Sequence, residues 1–197
     1  MTKIEKRFVN RKKKAEGNIK KIEYAFQQIE IKKISTVLEL GCGVGFVSKY
    51  LADTYPFVVY GTDYDTDQVQ TARKLQPNAD RLHFQVEDAT KLSFEDSSID
   101  LVISQNVFHH IPDWEAAIKE ISRVLRSDGY LLWLDLTFPK IVKILFQPFV
   151  KNYGLYTSTD IKTTFEAIGL EELFHERLTH GPMNQHHFLL QRHERLK

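Results

Sequence analysis

The residues whose types and spacing can do chemistry start at Glu39-Leu40-Gly41-Cys42-Gly43-Val44-Gly45, three alternate glycines directly after an apolar run. Glycines there let the backbone turn sharply and let a ligand approach without meeting a Cβ. The dinucleotide fingerprint is G-x-G-x-x-G, and counted from Gly41 its third glycine falls on Phe46. The Gly-Lys-Ser/Thr ending of a phosphate loop is absent too. A purely structural turn is the alternative. Asp63 closes the next apolar run, where a carboxylate can accept both hydroxyls of a ribose. The alternative is a turn or capping aspartate in Asp63-Tyr64-Asp65-Thr66-Asp67. Glu87-Asp88-Ala89 follows a third apolar run. Asp88 there can accept from an exocyclic amine of adenine while a following backbone N–H donates to a ring nitrogen; an ordinary loop aspartate would look the same.

Such residues work only if strands and helices place them at one kind of position. Thr36–Leu40 reads as a buried strand ending at the glycine cluster, 46–53 as a helix and Phe57–Thr62 as a second strand. Asp67–Leu75 has Val69, Ala72 and Leu75 on one helical face. Arg81–Val86 and Ile99–Ser104 are further strands. Asp113 caps a helix running to about Arg126, Ser127-Asp128-Gly129 is a turn, and Tyr130–Asp135 is the fifth strand. A helix over 158–168 stops at Gly169, and strands 171–178 and 186–192 are joined by a Gly181-Pro182 loop. Strand–helix alternation predicts a doubly wound α/β fold: a mostly parallel seven-stranded sheet, helices on both faces and a C-terminal antiparallel hairpin. Ligands in such sheets sit beyond the carboxyl ends of the strands, and every residue singled out above falls at such an end.

With these motifs in register, the chain resembles class I S-adenosylmethionine methyltransferases, and is most similar to the small-molecule branch with the ubiquinone and menaquinone methyltransferases. VLELGCGVG, VYGTDYD, FQVEDATKLSFEDSSIDLVIS and NVFHHIPDWEAAIKEISRVLRSDGYLLWLD carry the resemblance over roughly 34–135. Ser127-Asp128-Gly129 departs from the family's Pro-Gly-Gly turn, although Asp-Gly serves the same geometry. The resemblance implies an S-adenosyl-L-methionine cradle from Gly41, Gly43 and Gly45, ribose contact by Asp63 and adenine contact by Asp88 and Ala89. It implies that Gln105 and Asn106 line the methionine end, and that Glu39 supports the loop and the cofactor's amino group. Cys42 and Tyr64 complete the candidate cofactor-binding set. A carboxylate near a sulfonium and an ammonium is electrostatically favourable.

Methyl transfer from a sulfonium is an in-line displacement, in which orientation does most of the work. A general base is needed only if the acceptor must lose a proton. His109 and His110, in the loop after the fourth strand, are the candidate bases, with His110 ahead by pattern; packing histidines are the alternative. Ser104-Gln105-Asn106-Val107 does not match the Asn/Asp-Pro-Pro-aromatic sequence of base-amine methylation, and Cys42 lies in the wrong place for a pyrimidine nucleophile. His175, His180, His186 and His187 flank the final hairpin, and no metal is expected there.

The 197 residues suffice for one α/β domain with a core, and no apolar stretch approaches the roughly 20 residues that span a bilayer. The basic start lacks the apolar run of a secretory signal, and Cys42 is the one cysteine, so a cytoplasmic setting is expected. Residues 1–33 hold eleven Lys/Arg against four Asp/Glu, and the remainder sixteen against twenty-two. A basic helical arm over 1–33 therefore precedes a methyltransferase domain over 34–197. Its helix carries Ile19, Ile22, Phe26 and Ile29, with Gly17 expected to separate it from a more mobile basic segment. The arm reads as a solvated face lying on the acidic domain, or as a contact for nucleic acid, anionic lipid or an acidic substrate. The interval 136–157, LTFPKIVKILFQPFVKNYGLYT, is apolar with Lys140, Lys143 and Lys151. It is expected to cover the acceptor with its apolar side chains inward; membrane contact, core packing and dimer packing are the alternatives. The expected function is methyl transfer to a small molecule, for which this segment favours a hydrophobic one, by a monomer or homodimer. RNA or protein methylation guided by the arm, and a non-catalytic cofactor-binding partner subunit, are the competing readings.

Overall fold

Short apolar runs bounded by polar turns build the strands β1 (Thr36–Leu40), β2 (Val58–Asp63), β3 (Leu82–Val86), β4 (Ile99–Gln105), β5 (Leu125–Thr137), β6 (Leu170–His180) and β7 (Met183–Arg192). The computed structural model describes residues 12–76, 80–180 and 183–193. Its strands are hydrogen-bonded in the order β3-β2-β1-β4-β5-β7-β6. The α/β class and the mostly parallel sheet are those expected. So is the antiparallel hairpin; its Gly181-Pro182 connection lies outside the described residues. The chain divides into two compact units, Met1–Asp88 and Ala89–Lys197.

In the first unit β1 pairs parallel with β2, and β2 with β3. The helices α1 (Lys12–Phe26), α2 (Phe46–Thr54) and α3 (Thr66–Leu75) accompany them. Against expectation, α1 runs straight through Gly17. A Cβ there would meet nothing, and an exposed helical glycine costs only about 1 kcal/mol, which the packing of Ile22, Ala25 and Phe26 outweighs. Phe26 meets the rings of Tyr55 and Phe57 edge-on at 5.4 and 6.2 Å. Glu23 accepts from the phenols of Tyr50 and Tyr55 at 3.0 and 2.7 Å. Asp65 caps α3 by accepting from Asp67 N at 3.0 Å, and Arg73 forks onto the Phe84 carbonyl at 3.0 and 2.6 Å, tying α3 to β3.

In the second unit β4 and β5 are parallel, and β7 runs antiparallel between β5 and β6. Its helices are α4 (Trp114–Val124), α5 (Lys140–Phe146) and α6 (Ser158–Ala167). Asp113 caps α4 through Ala116 N at 3.1 Å, and Ala117, Ile118, Ile121 and Val124 form its buried face. The helix stops short of the expected Arg126 because Leu125 turns extended and pairs with Ile99. The expected turn at 127–129 is thus an irregularity within β5. The register shifts between Ile99 and Leu101, and Asp128 takes the left-handed conformation at φ 61°. A Thr157/Asp160 capping box opens α6, and Gly169 ends it at φ 81°.

The core of this unit is organised around Trp133, fully buried, with the rings of Phe108, Tyr156, Phe165 and Phe188 centred 5.7–6.0 Å away. Phe165→Ala removes one ring from this cluster and is expected to cost about 3–5 kcal/mol. Urea unfolding checks it: a loss under about 1 kcal/mol would mean that the cluster collapses around the gap.

Candidate functional site

The glycine loop of the first unit is built from left-handed backbone at Gly41, Gly43 and Gly45, with φ 68°, 55° and 79°. A Cβ on Gly45 would lie 2.5 Å from the Phe84 ring, so this residue is needed for close packing as well as for its turn. Asp63 holds the loop's middle: its Oδ2 accepts from Gly43 N and its Oδ1 from Asp65 N, each at 2.9 Å. Cys42 N donates to the Thr62 carbonyl at 2.8 Å. Beneath the loop Glu39 is buried, and the Ser48 hydroxyl donates to its Oε2. Burial pushes the Glu39 carboxyl up to about 7; the Ser48 bonds oppose the rise and the nearby Asp63 charge adds to it. Burial, with Glu39 and Asp63 beside it, also pushes the Cys42 thiol well up, so it is not a ready nucleophile. Tyr64 and Asp88 are exposed.

This donor set suits a particular ligand. Residues 39–48 carry no Lys or Arg, and the next residue, Lys49, is turned onto Asp53 at 2.6 Å. A pyrophosphate would meet carboxylates here, whereas a cationic ligand would be attracted. The role of Asp63 as the tie on Gly43, and of Ser48 beneath Glu39, was not read from the sequence. Neither serine nor aspartate spacing signals a contact made across the loop.

In the second unit Gln105 is buried at the end of β4, and Asn106 follows in the left-handed conformation at φ 60°, its side-chain oxygen accepting from Gln185 at 3.0 Å. A 3₁₀ turn over Phe108–His110 comes next. This turn hangs on Asp135, fully buried near the end of β5. Its Oδ2 accepts from Val107 N and Phe108 N, both at 2.7 Å, and its Oδ1 from Leu136 N at 2.7 Å and from His109 Nδ1. An ionised carboxylate can only accept, so His109 donates through Nδ1 and its Nε2 is left to bind a proton. The carboxylate thus orients His109 rather than His110, whose ring lies 4.1 Å from that of His109 and 5.5 Å from that of Tyr153. The Tyr156 phenol is buried without a hydrogen-bond partner, and burial and the Asp135 charge push its pKa well up. Asp135 was missed in the sequence, although an acid ending the apolar run Leu131–Leu134 is the same signal that marked Asp63.

The interval 136–157 is fastened at its base. Phe138 N donates to the Tyr156 carbonyl at 2.9 Å, and Gly154 N to the His109 carbonyl at 3.1 Å. Lys143 pairs with Asp160 at 2.7 Å, so α5 is tethered to α6. The segment starts from the carboxyl end of β5, as expected. Most of its large apolar side chains do not face inward: Ile141, Ile144, Leu145, Phe146 and Phe149 are between 52% and 83% exposed, whereas Leu155 and Tyr156 are buried. At the hairpin, His175 and His186 stack and bond to each other at 2.8 Å, and burial holds His186 down at about 4. Among the described residues no group of three or more His, Cys, Asp and Glu is arranged to hold a metal.

Residues 38–133 match the family model described as a methyltransferase domain. This segment is a methyltransferase domain. The chain is 41% identical over 101 residues to a 2-methyl-6-phytyl-1,4-hydroquinone methyltransferase of Synechocystis sp., covering 51% of this chain and 32% of that one. It is 37% identical over 100 residues to a fatty-acid O-methyltransferase of Mycolicibacterium smegmatis, covering 50% and 36%. The match thus spans about a third of either relative's length. The solved PH0226 protein from Pyrococcus horikoshii shares the fold, with a TM-score of 0.72 at 22% identity over 93% of both chains.

Two outcomes follow for the domain's loop. Asp63→Ala orphans the amides of Gly43 and Asp65 and is expected to cost about 1–3 kcal/mol, with faster hydrogen exchange at Gly43. Unchanged exchange there would show that Asp63 does not hold the loop. For Glu39, the folded protein keeps a proton between pH 4.5 and about 7 that the unfolded chain releases. Its contribution to stability therefore falls as pH rises through that window, by up to about 3 kcal/mol. Glu39→Gln is expected to flatten this slope in thermal unfolding at a series of pH values; an unaltered slope would place the titration elsewhere.

Proposed function

We propose that the chain is an S-adenosylmethionine-dependent methyltransferase acting on a small hydrophobic molecule that must shed a proton. The observation that carries the reading is the methyltransferase domain's glycine loop, which presents carboxylates and no cation to its ligand. When bound, S-adenosylmethionine supplies an electrophilic methyl group on a sulfonium. Gly41, Gly43 and Gly45 give its backbone-close cradle, with Cys42 inside the loop. Asp63, with Tyr64 beside it, serves the ribose, and Asp88 with Ala89 the adenine. Glu39 balances cationic charge from below. A cation near the loop favours ionised Glu39, so cofactor binding releases a proton and strengthens as pH rises towards about 7. For the second unit we propose that Gln105 and Asn106 serve the methionine end and His109 the acceptor.

His109 Nε2 takes the proton of the acceptor, and Asp135 holds the required tautomer and balances the imidazolium that forms. This is the same division of labour as in other carboxylate-oriented histidines. The relatives named for a hydroquinone and a fatty acid support an acceptor of this chemistry.

The test incubates the protein and S-adenosylmethionine with a panel of quinols, phenols and fatty acids and measures the demethylated cofactor product. Turnover with at least one of them is expected. Titration calorimetry that finds NAD binding but none of S-adenosylmethionine would sink the reading. His109→Gln is expected to lower kcat by about 10²–10⁴ while leaving cofactor affinity unchanged. The loss should shrink with phenols already ionised at the assay pH; an equal loss with every phenol would make His109 a packing residue.

A further inference from the structure

The helix α5 is amphipathic the wrong way round for a core element. Ile141, Ile144 and Leu145 share one helical face by their spacing of three and four, and that face looks into solvent together with Phe146 and Phe149. The opposite side is the one fixed to the protein. Lys143 is held by Asp160, Val142 is half-buried, and Lys143 N and Gln147 N close the helix on the carbonyls of Pro139 and Lys143. Five large apolar side chains thus face outward within nine residues. Scattered exposed apolar residues need no explanation, but a contiguous patch marks a surface that something covers.

Charge tells which kind of partner fits. Leu136–Tyr156 contains three lysines and no Asp or Glu, in a chain whose residues beyond 33 hold more acids than bases. Lys140 and Lys151, at the two ends of the patch, are exposed. A second copy meeting this face about a two-fold axis would bring like charges together. An anionic bilayer instead accepts both features: apolar side chains enter the acyl boundary, and the lysines reach the headgroup phosphates by their long stems. Among the described residues no helix is long and apolar enough to cross a membrane, so this surface can lie on a bilayer but α5 does not span it.

We infer that the face formed by Ile141, Ile144, Leu145, Phe146 and Phe149, flanked by Lys140 and Lys151, docks on the surface of an anionic lipid bilayer. The same segment is fastened to the His109 turn through Gly154, and Tyr153 lies against His110. Docking therefore presents to the membrane a segment anchored on the residues assigned to the acceptor. In that purpose, delivery of a lipophilic acceptor, the inference rests on the function proposed above; the docking itself does not.

Vesicle flotation tests it without acceptor or cofactor, so failure here leaves methyl transfer untouched, and failure of turnover leaves docking untouched. The full chain is floated with vesicles of phosphatidylcholine alone and with about a quarter phosphatidylglycerol. Binding is expected to the anionic vesicles and to fall as salt is raised. Ile144→Ser with Phe149→Ser should weaken it by about tenfold or more, and Lys140→Glu with Lys151→Glu by a similar factor. All four side chains are exposed or at the surface, so thermal unfolding should be unchanged and report that the variants are folded. No flotation of the wild-type chain, or equal flotation of folded variants, overturns the inference. So does a dimer in light scattering that the Ile144/Phe149 variant converts to monomer, which would assign the face to a second copy.

Discussion

Four donors converge on one buried carboxylate at Asp135: three backbone amides and an imidazole. A charge with no exposure to water is tolerated only when its lone pairs are filled, and that requirement dictates the local chain path. Val107 and Phe108 must turn their amides inward, which sets the 3₁₀ turn and leaves Asn106 in a left-handed conformation. His109 must offer Nδ1, which fixes its tautomer. Gly154 then fits over the turn, where a Cβ would lie 2.5 Å from the Ile111 carbonyl and 2.6 Å from that of Phe108. Backbone, imidazole and overlying segment are thus all registered by one side chain.

The first unit uses the same device with a different remainder. Asp63 also ends a strand and also gathers amides, those of Gly43 and Asp65, and it is half-buried. Glu39 stands at the other extreme. It is buried beneath the loop, where the Ser48 bonds do not offset the loss of water, and burial keeps it protonated up to about 7.

The strands, the glycine loop and the order of elements were legible because burial enforces periodicity and left-handed backbone calls for glycine. Boundaries erred where tertiary packing overrode local signals. Gly17 reads as a breaker, yet Ile22, Ala25 and Phe26 anchor the helix that contains it. Ser127-Asp128-Gly129 reads as a turn, yet Leu125 is drawn into the sheet beside Ile99 and the turn becomes a bulge. The glycine loop and Asp63 stood out in the sequence, but the hydrogen bonds between them did not, since one-dimensional spacing does not reveal which amide a carboxylate will meet. The orientation of α5 was unreadable for another reason. Hydrophobicity alone sends such residues inward, and the Lys143–Asp160 pair that fastens the opposite side of the helix joins residues on different helices.

The paired histidines of the hairpin determine where protons reside. If His186 donates from Nδ1 to His175 Nε2, the remaining N–H of His175 faces Glu172, 3.9 Å from its Nδ1, and His186 buries only a bare nitrogen at Nε2. The reverse arrangement would bury an N–H with no acceptor, the costlier choice. One tautomer of each ring is therefore selected by the other, and a proton added to the accepting nitrogen breaks the bond between them. Because burial holds both rings below the ordinary histidine range, the unfolded chain takes up protons first as the solution is acidified. The antiparallel edge of the sheet thereby carries its own acid limit, set by the burial of two imidazoles that share one hydrogen.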